Sequence, residues 1–343
     1  MVTGHNGYIG AVLVPLLQAA GHEVEGLDTY FYEGCTFGPE SPDPRAQRLD
    51  IRDVQLEHLA GYDAVIHLAA LSNDPLGNLN PDCTYDINHR GSVHLAKTAK
   101  RAGVPRFLFS SSCSLYGAAG SDSVSEGADF APVTPYGESK ALVERDLSRL
   151  ADSSFSPTYL RNATAYGMSA RLRGDLVVNN LVGLALTTGE VLIKSDGTPW
   201  RPLVHIEDIS RAFLVMLEAP LELVHDQAFN VGRSEENYQV RDIADIVADV
   251  VPDCRVIYAT GGEPDKRSYQ VNFSRLADTF PEFTPEWTVR RGAQDLYRTY
   301  CANGLTAEQF EGSTFLRIKR ITELLDDGRL GSDLRWQRAK EFT

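Results

Sequence analysis

Apolar runs and helix-period patterns alternate through roughly the first 165 residues. Val24–Leu27, Ala64–Leu68, Phe107–Ser110 and Thr158–Leu160 are short apolar or β-branched runs and read as strands. Between them, residues near 8–20, 82–102 and 137–151 repeat their apolar positions at helical spacing. This alternation predicts an α/β fold, a doubly wound parallel sheet with helices on both faces. After Gly167 the rhythm becomes irregular, and one further run, Ala228–Gly232, is placed to return to the main sheet. The expected division is a main domain over residues 1–167, with 204–232 returning to it. Residues 168–203 and 233–343 then form a smaller mixed α/β lobe at the C-terminal end. Only Met1 and Val2 precede a glycine loop that opens at Thr3, leaving a very short first strand. The expectation is that a few apolar residues upstream would complete it.

Composition narrows the class. The chain has 343 residues, 43% hydrophobic and 23% charged, which are ordinary globular values. Its formal charge of −14 argues against nucleic acid or an anionic membrane as a partner, since both need positive surface. No apolar run has the length of a membrane span, and the N-terminus lacks a signal-peptide pattern. The five cysteines form no CxxC pair, so neither a disulfide scaffold nor a metal site is expected. A cytoplasmic location is the expectation.

The candidate chemistry begins at Thr3-Gly-His-Asn-Gly-Tyr-Ile-Gly10, which leads into an apolar helical run. Glycines at this spacing let backbone amides approach a pyrophosphate at a helix N-terminus, where the dipole favours an anion. Asp28 follows one helix and one strand later, where a carboxylate accepts from an adenosine ribose and repels a 2′-phosphate. No Arg or Lys follows before Arg45, so NAD is expected rather than NADP. Tyr136 and Lys140 are four residues apart and share one helical face. A phenol is a poor base near neutral pH, and an adjacent cation is expected to lower its pKa. Ser112, in Ser110-Ser-Ser-Cys-Ser-Leu-Tyr-Gly117, offers a hydroxyl to share the substrate proton.

These motifs, with Asp50-Ile51, His67-Leu-Ala-Ala70, Asn88, Leu160–Gly167, Asn179-Asn180, Arg201 before Val204-His-Ile-Glu-Asp208, and Pro264-Asp-Lys-Arg267, occur in order from Thr3 to Leu276. Together they resemble the extended short-chain dehydrogenase/reductase family, specifically its NAD-dependent epimerase/dehydratase group acting on nucleotide sugars. The resemblance implies a Rossmann-type fold and NAD contacts from Gly4, Asn6, Gly7, Tyr8, Ile9, Gly10, Asp28, Asp50, Ile51, Leu68, Ala69, Ala70, Asn88, Ser110, Tyr136 and Lys140. It implies Ser112, Tyr136 and Lys140 as the catalytic set. Ser72, Thr164, Asn179, Asn180, Arg201 and Arg267 would hold the nucleotide sugar. A homodimer through the helix carrying Tyr136 and its neighbour is implied as well.

Departures from the family patterns limit the reaction. The 4,6-dehydratases carry an Asp-Glu pair directly after the catalytic Ser or Thr, where this chain has Cys113 and Ser114. Cys113 is a candidate acid/base thiol or a small buried residue behind the strand. His67 and His205 read as structural. A nucleotide-sugar epimerase working at C4 by transient oxidation needs only the Tyr-Lys-Ser set. A reductase of an NDP-4-keto sugar uses the same residues with exchangeable reduced cofactor, and a dehydratase lacks its acid/base pair here. A non-catalytic nucleotide sensor would be expected to have a broken set, and this one is intact.

Overall fold

The computed structural model describes residues 1–40, 42–72, 74–117, 123–259 and 268–337. Seven parallel strands form the main sheet. From edge to edge they are Gln227–Val231, Ser156–Asn162, Arg106–Ser112, Ala64–His67, Val2–Thr3, Gly26–Asp28 and Ala46–Arg48. The strand order reverses between Val2–Thr3 and Ala64–His67, and a crevice opens beyond the C-terminal strand ends at such a switch point. The run Ala228–Gly232 does return to the sheet, as Gln227–Val231 paired with Ser156–Asn162.

The first strand has only Val2 and Thr3, yet it is paired on both sides. Val2 N–H donates to Glu25 O at 2.8 Å, and Ile66 N–H donates to Met1 O at 2.9 Å. His67 reinforces this seam, because Thr3 Oγ1 and Ser92 Oγ each lie 2.7 Å from one of its ring nitrogens.

Local sequence explains the boundary that matters most for the site. The helix Pro135–Ser148 starts two residues before its expected position, with Thr134 as N-cap accepting from Gly137 N–H at 3.2 Å and Pro135 in the first turn. The expected helix 82–102 is three pieces: Pro81–Thr84, a seven-residue π segment Tyr85–Gly91, and Ser92–Arg101. π segments of this kind recur at functional sites.

The lobe has a separate core, in which Leu181, Val182, Val191, Ile243, Leu296 and Tyr300 are all buried. Its three-stranded sheet orders Asn237–Gln239, Trp200–His205 and Thr164–Tyr166. That sheet crosses the expected divisions at 167 and 204. Two parallel strand pairs, Glu190–Ile193 with Arg255–Tyr258 and Ser123–Val124 with Gln270–Val271, complete the sheets. The end of the chain departs further from the expected division. Ile321, Leu324, Leu330 and Leu334 are buried with Leu27, Ile51 and Val65 of the main domain, so the apolar face of residues 321–334 packs there, while Arg317 still bonds to Arg171 of the lobe. Their apolar spacing is what moves them, since each needs a covered face and the main sheet's flank supplies it.

Two buried histidines give the fold an acid-sensitive stability. Burial lowers the pKa of His67 and His205 to about 3 each, against 6.5 for an unconstrained imidazole. Above pH 6.5 both the folded and unfolded states hold them neutral. Below it the unfolded chain binds protons that the folded one does not, so stability falls as pH drops from 6.5 toward 3. Each histidine contributes a loss of about 1.4 kcal/mol per pH unit in that window. Urea midpoints measured from pH 7.5 to 5 should fall accordingly, and His205→Phe, which can keep the stack on Trp287, should flatten the slope. A midpoint independent of pH over that range would contradict this account.

Candidate active site

A cleft of about 1050 Å³ occupies the switch-point crevice and runs on between the main domain and the lobe. Gly4, Gly7, Tyr8, Ile9 and Gly10 form one wall. Gly4 has φ +73°, and a Cβ there would lie 2.7 Å from Ala69 N. At Gly10 a Cβ would lie 2.3 Å from His5 O. Only glycine permits this packing of the loop onto the end of the next strand, and it leaves the backbone open to a ligand.

Asp28 lines the cleft at the end of the second strand and accepts from Tyr30 N–H at 2.7 Å and Asn6 N–H at 3.1 Å. Burial pushes its carboxyl pKa up, and the two amides oppose that shift. Asp50 and Ile51 follow along the same wall; Asp50 is gripped by Arg52 through Nε at 3.0 Å and Nη2 at 2.7 Å. Leu68, Ala69, Ala70 and Ser72 form the facing side. This wall fits the adenosine half of a dinucleotide, with a carboxylate at the ribose position and no cation directly after it in sequence.

At the far end the cleft is lined by Ser110, Ser112, Tyr136 and Lys140. Ser112 Oγ accepts from Ser114 N–H at 3.1 Å and from Ser114 Oγ at 2.8 Å, which leaves its own proton for Tyr136. The expectation that Lys140 lowers the Tyr136 pKa is not met in this structure. Burial raises the Tyr136 pKa to about 12, opposed by the hydrogen bond to Ser112 and the charge of Arg173. Lys140 Nζ instead donates to Ser110 O at 2.6 Å and sits 5.7 Å from the Tyr136 ring centroid. Burial lowers the Lys140 pKa to about 7, so its charge is itself costly here.

Several expected site residues do not reach the cleft. The Cys113 thiol is 1% exposed and packs in the core, donating to Arg161 O at 3.1 Å, while burial drives its pKa well up. It has neither the access nor the electropositive setting of an acid/base thiol, so it fills space. Asn88 clamps the backbone of Leu71 from both sides, accepting from N–H at 2.8 Å and donating to O at 3.0 Å. The π segment turns it there, and it positions the strand-end loop without lining the site. The Asn6 side chain faces Asp43 and Arg171, and only its backbone N–H serves the site, through Asp28. Asn179 is fully buried and spent on Gly167 N–H at 2.9 Å and Arg173 O at 3.0 Å. Its neighbour Asn180 does line the cleft, as do Thr164 and Arg201. Arg267, with the rest of Pro264–Arg267, lies outside the described residues.

Four cationic residues in the lining were not foreseen. Arg173 pairs with Asp175 through Nε at 2.9 Å and donates to Ser72 Oγ at 3.2 Å. Arg317, Lys194 and Lys319 join it. With Lys140 and Arg201 they face the lining carboxylates Asp28, Asp50, Asp74, Asp175 and Glu311, so the cleft is near charge balance in a chain of net charge −14 and offers cations to an anionic ligand. A neighbouring arginine in sequence, as in Arg171-Leu-Arg173, was the available signal.

The model of the NAD dependent epimerase/dehydratase family matches residues 1–232. A UDP-glucose 4-epimerase of Neisseria meningitidis serogroup C is 30% identical over 262 residues, covering 68% of this chain and 76% of the relative. Among solved structures, MoeE5 in complex with UDP-glucuronic acid and NAD is similar with a TM-score of 0.77 and 25% identity, over 88% of this chain and 98% of that one. TunA, an NAD-dependent NDP-hexosamine 5,6-dehydratase involved in tunicamycin biosynthesis, shares the fold at a TM-score of 0.78 and 22% identity, over 88% and 97%. Motif order, cleft and matches converge: this chain is an enzyme belonging to the NAD-dependent epimerase/dehydratase family, with NAD as its cofactor.

Proposed function

We propose that the enzyme epimerises a nucleotide sugar at C4 by transient oxidation of the sugar hydroxyl. The observation that carries this reading is the set Ser112, Tyr136 and Lys140 on one cleft, with no carboxylate in the two positions after Ser112. Cys113 is turned into the core and Ser114 is bound to Ser112. Bound NAD supplies a hydride acceptor and a positive ring. Tyr136 takes the proton of the sugar hydroxyl, Ser112 shares that oxygen, and the charge of Arg173 favours the phenolate, while Lys140 is held beside the ring on Ser110 O. The cationic lining of Arg173, Arg201 and Lys194 suits the diphosphate of the substrate. UDP-linked sugars are the first candidates, because the similar relative and MoeE5 act on or bind them.

One observation favours a second reading, a dehydratase. Asp74 lines the cleft near enough to Tyr136 to push its pKa up, and would offer a carboxylate from a different loop. Incubation with UDP-, dTDP-, GDP- and CDP-hexoses, followed by NMR, separates the two. Interconversion of C4 epimers without added cofactor is expected. Accumulation of a 4-keto-6-deoxy sugar would install the dehydratase reading, and oxidation of added NADH only when an NDP-4-keto sugar is supplied as acceptor would make the enzyme a ketoreductase.

A further inference from the structure

The C-terminal segment lies beyond the matched residues 1–232, yet it closes over the cofactor end of the cleft. Trp336 Nε1–H donates to Thr29 O at 2.6 Å, Arg320 Nε–H to Phe31 O at 3.3 Å, and Arg52 Nη1–H to Asp333 O at 2.9 Å. Thr29 and Phe31 belong to the stretch that follows Asp28, so the segment is tied to the adenosine wall.

Arg317 opens this segment's helix, Arg317–Asp326, and is 2% exposed. Its guanidinium carbon stacks over the Tyr32 ring at 3.9 Å, and Nη2 donates to Arg171 O at 2.8 Å. Nη1 is buried and has no hydrogen-bond partner. The two neighbouring arginines are matched with carboxylates, Arg171 with Glu40 and Arg173 with Asp175. Among the described residues no carboxylate is in direct ion-pair contact with Arg317, and Asp175 acts on it only through its field. Asp175, held by Arg173, offsets part of the Arg317 charge from nearby, and a buried guanidinium that shares its counter-charge and leaves one nitrogen unbonded is suited to a ligand anion.

The surroundings say which anion. Arg171 Nε–H donates to Asn6 Oδ1 at 3.0 Å, which couples the cluster to the glycine loop. Tyr8, in the same loop, feels the charges of both Arg173 and Arg317. Tyr32, under Arg317, is four residues past Asp28. The cluster therefore sits between the adenosine wall and the glycine loop, where a dinucleotide places its diphosphate. We propose that Arg317 is a ligand of the NAD diphosphate, carried to the cofactor by the C-terminal segment, and that it makes NAD a retained group in place of an exchanging one. The inference rests on NAD as cofactor and not on the sugar, so its failure would leave the epimerase reading standing.

The test compares the full chain with Arg317→Met, which keeps the stem over Tyr32 and removes the charge. Three readouts are needed: NAD released per chain after denaturation, the affinity for NAD after charcoal stripping, and melting with and without saturating NAD. Loss of a charge-assisted contact should weaken NAD binding roughly 10–100-fold and lower retained NAD, with UDP affinity unchanged. Without NAD, Arg317→Met should melt no lower than the parent, because a buried charge that only shares its counter-charge has been removed. With NAD, its rise in melting temperature should be the smaller. Arg317→Lys should fall between the two and serves if the Met variant does not fold. NAD affinity within about twofold of the parent, or a lower melting temperature without NAD, would overturn the proposal. Weakened UDP binding with NAD binding intact would also overturn it and reassign the guanidinium to the nucleotide-sugar diphosphate.

Discussion

Tyr136→Phe should lower turnover by roughly 10²–10⁴-fold, the range lost when one general base is removed. The substitution deletes one oxygen and leaves the ring on the same face of the helix Pro135–Ser148. The cleft wall that we propose for the cofactor's adenosine half lies elsewhere, in the glycine loop, Asp28 and the Asp50–Ile51 turn. NAD content and nucleotide-sugar affinity should therefore stay close to the parent while the rate collapses. The parent phenol is held at about 12 by burial, and the positive ring of NAD bound beside it would favour its ionisation. Its apparent pKa in the loaded enzyme should accordingly lie well below that value, read from the pH dependence of single turnovers. Near-parent turnover in the Tyr136→Phe enzyme would remove Tyr136 from the mechanism.

The largest stability effect should come from a pair that touches no ligand. Arg161 meets Glu144 through Nη2 at 2.7 Å and through Nε at 3.1 Å to both oxygens, and both side chains are about 95% buried. Ser111 Oγ–H donates to the same carboxylate, and Arg161 Nη1 donates to Tyr116 Oη at 2.9 Å. Arg161→Met strands a buried carboxylate, which costs about 3–5 kcal/mol. The double variant Arg161→Met/Glu144→Leu removes both charges and should recover most of that loss, since well-packed apolar replacements of buried ion pairs are often neutral. Urea denaturation at pH 7.5 reads both. A single variant as stable as the parent would show that the pair carries little. Because Ser111 and Glu144 belong to the strand and helix that bear Ser112 and Tyr136, surviving single-variant enzyme should also turn over slowly.

The strands of the main sheet were legible because they are buried on both faces and read as unbroken apolar runs. A strand before Asp50 was expected only through the family resemblance, and its residues Ala46–Arg48 were not identified, since an edge strand with exposed Ala46 and Arg48 carries no such pattern. Tyr136, Lys140, Asp28 and the glycine loop were visible because their spacing is fixed by one helix or one turn. Asn179 was misplaced for a related reason, whereas Cys113 follows the second of its two readings, a small buried residue. Ser112 ends its strand facing the cleft, and the 3₁₀ turn Cys113–Tyr116 that follows carries the Cys113 side chain into the core. Adjacent helical residues diverge by about 100°, so Asn180 meets the cleft while Asn179 turns to the core with Val178 and Val182. Arg317 had no local signature at all. It joins Tyr32 and Arg171 only through contacts that span most of the chain.

Those long-range contacts set an order of assembly. Arg52 bonds to the carbonyl of Asp333 across 281 positions in sequence, and Trp336 reaches Thr29 across 307. A ribosome delivers residues 1–232, and with them every strand of the main sheet, before residues 317–336 exist. Closing contacts this distant is also the slow part of refolding, because the entropy of so large a loop is lost before any contact compensates it. The nascent enzyme thus passes through a stage with a complete sheet and an unlidded dinucleotide crevice. Loading of NAD has its natural moment there, ahead of the final docking of the chain's end.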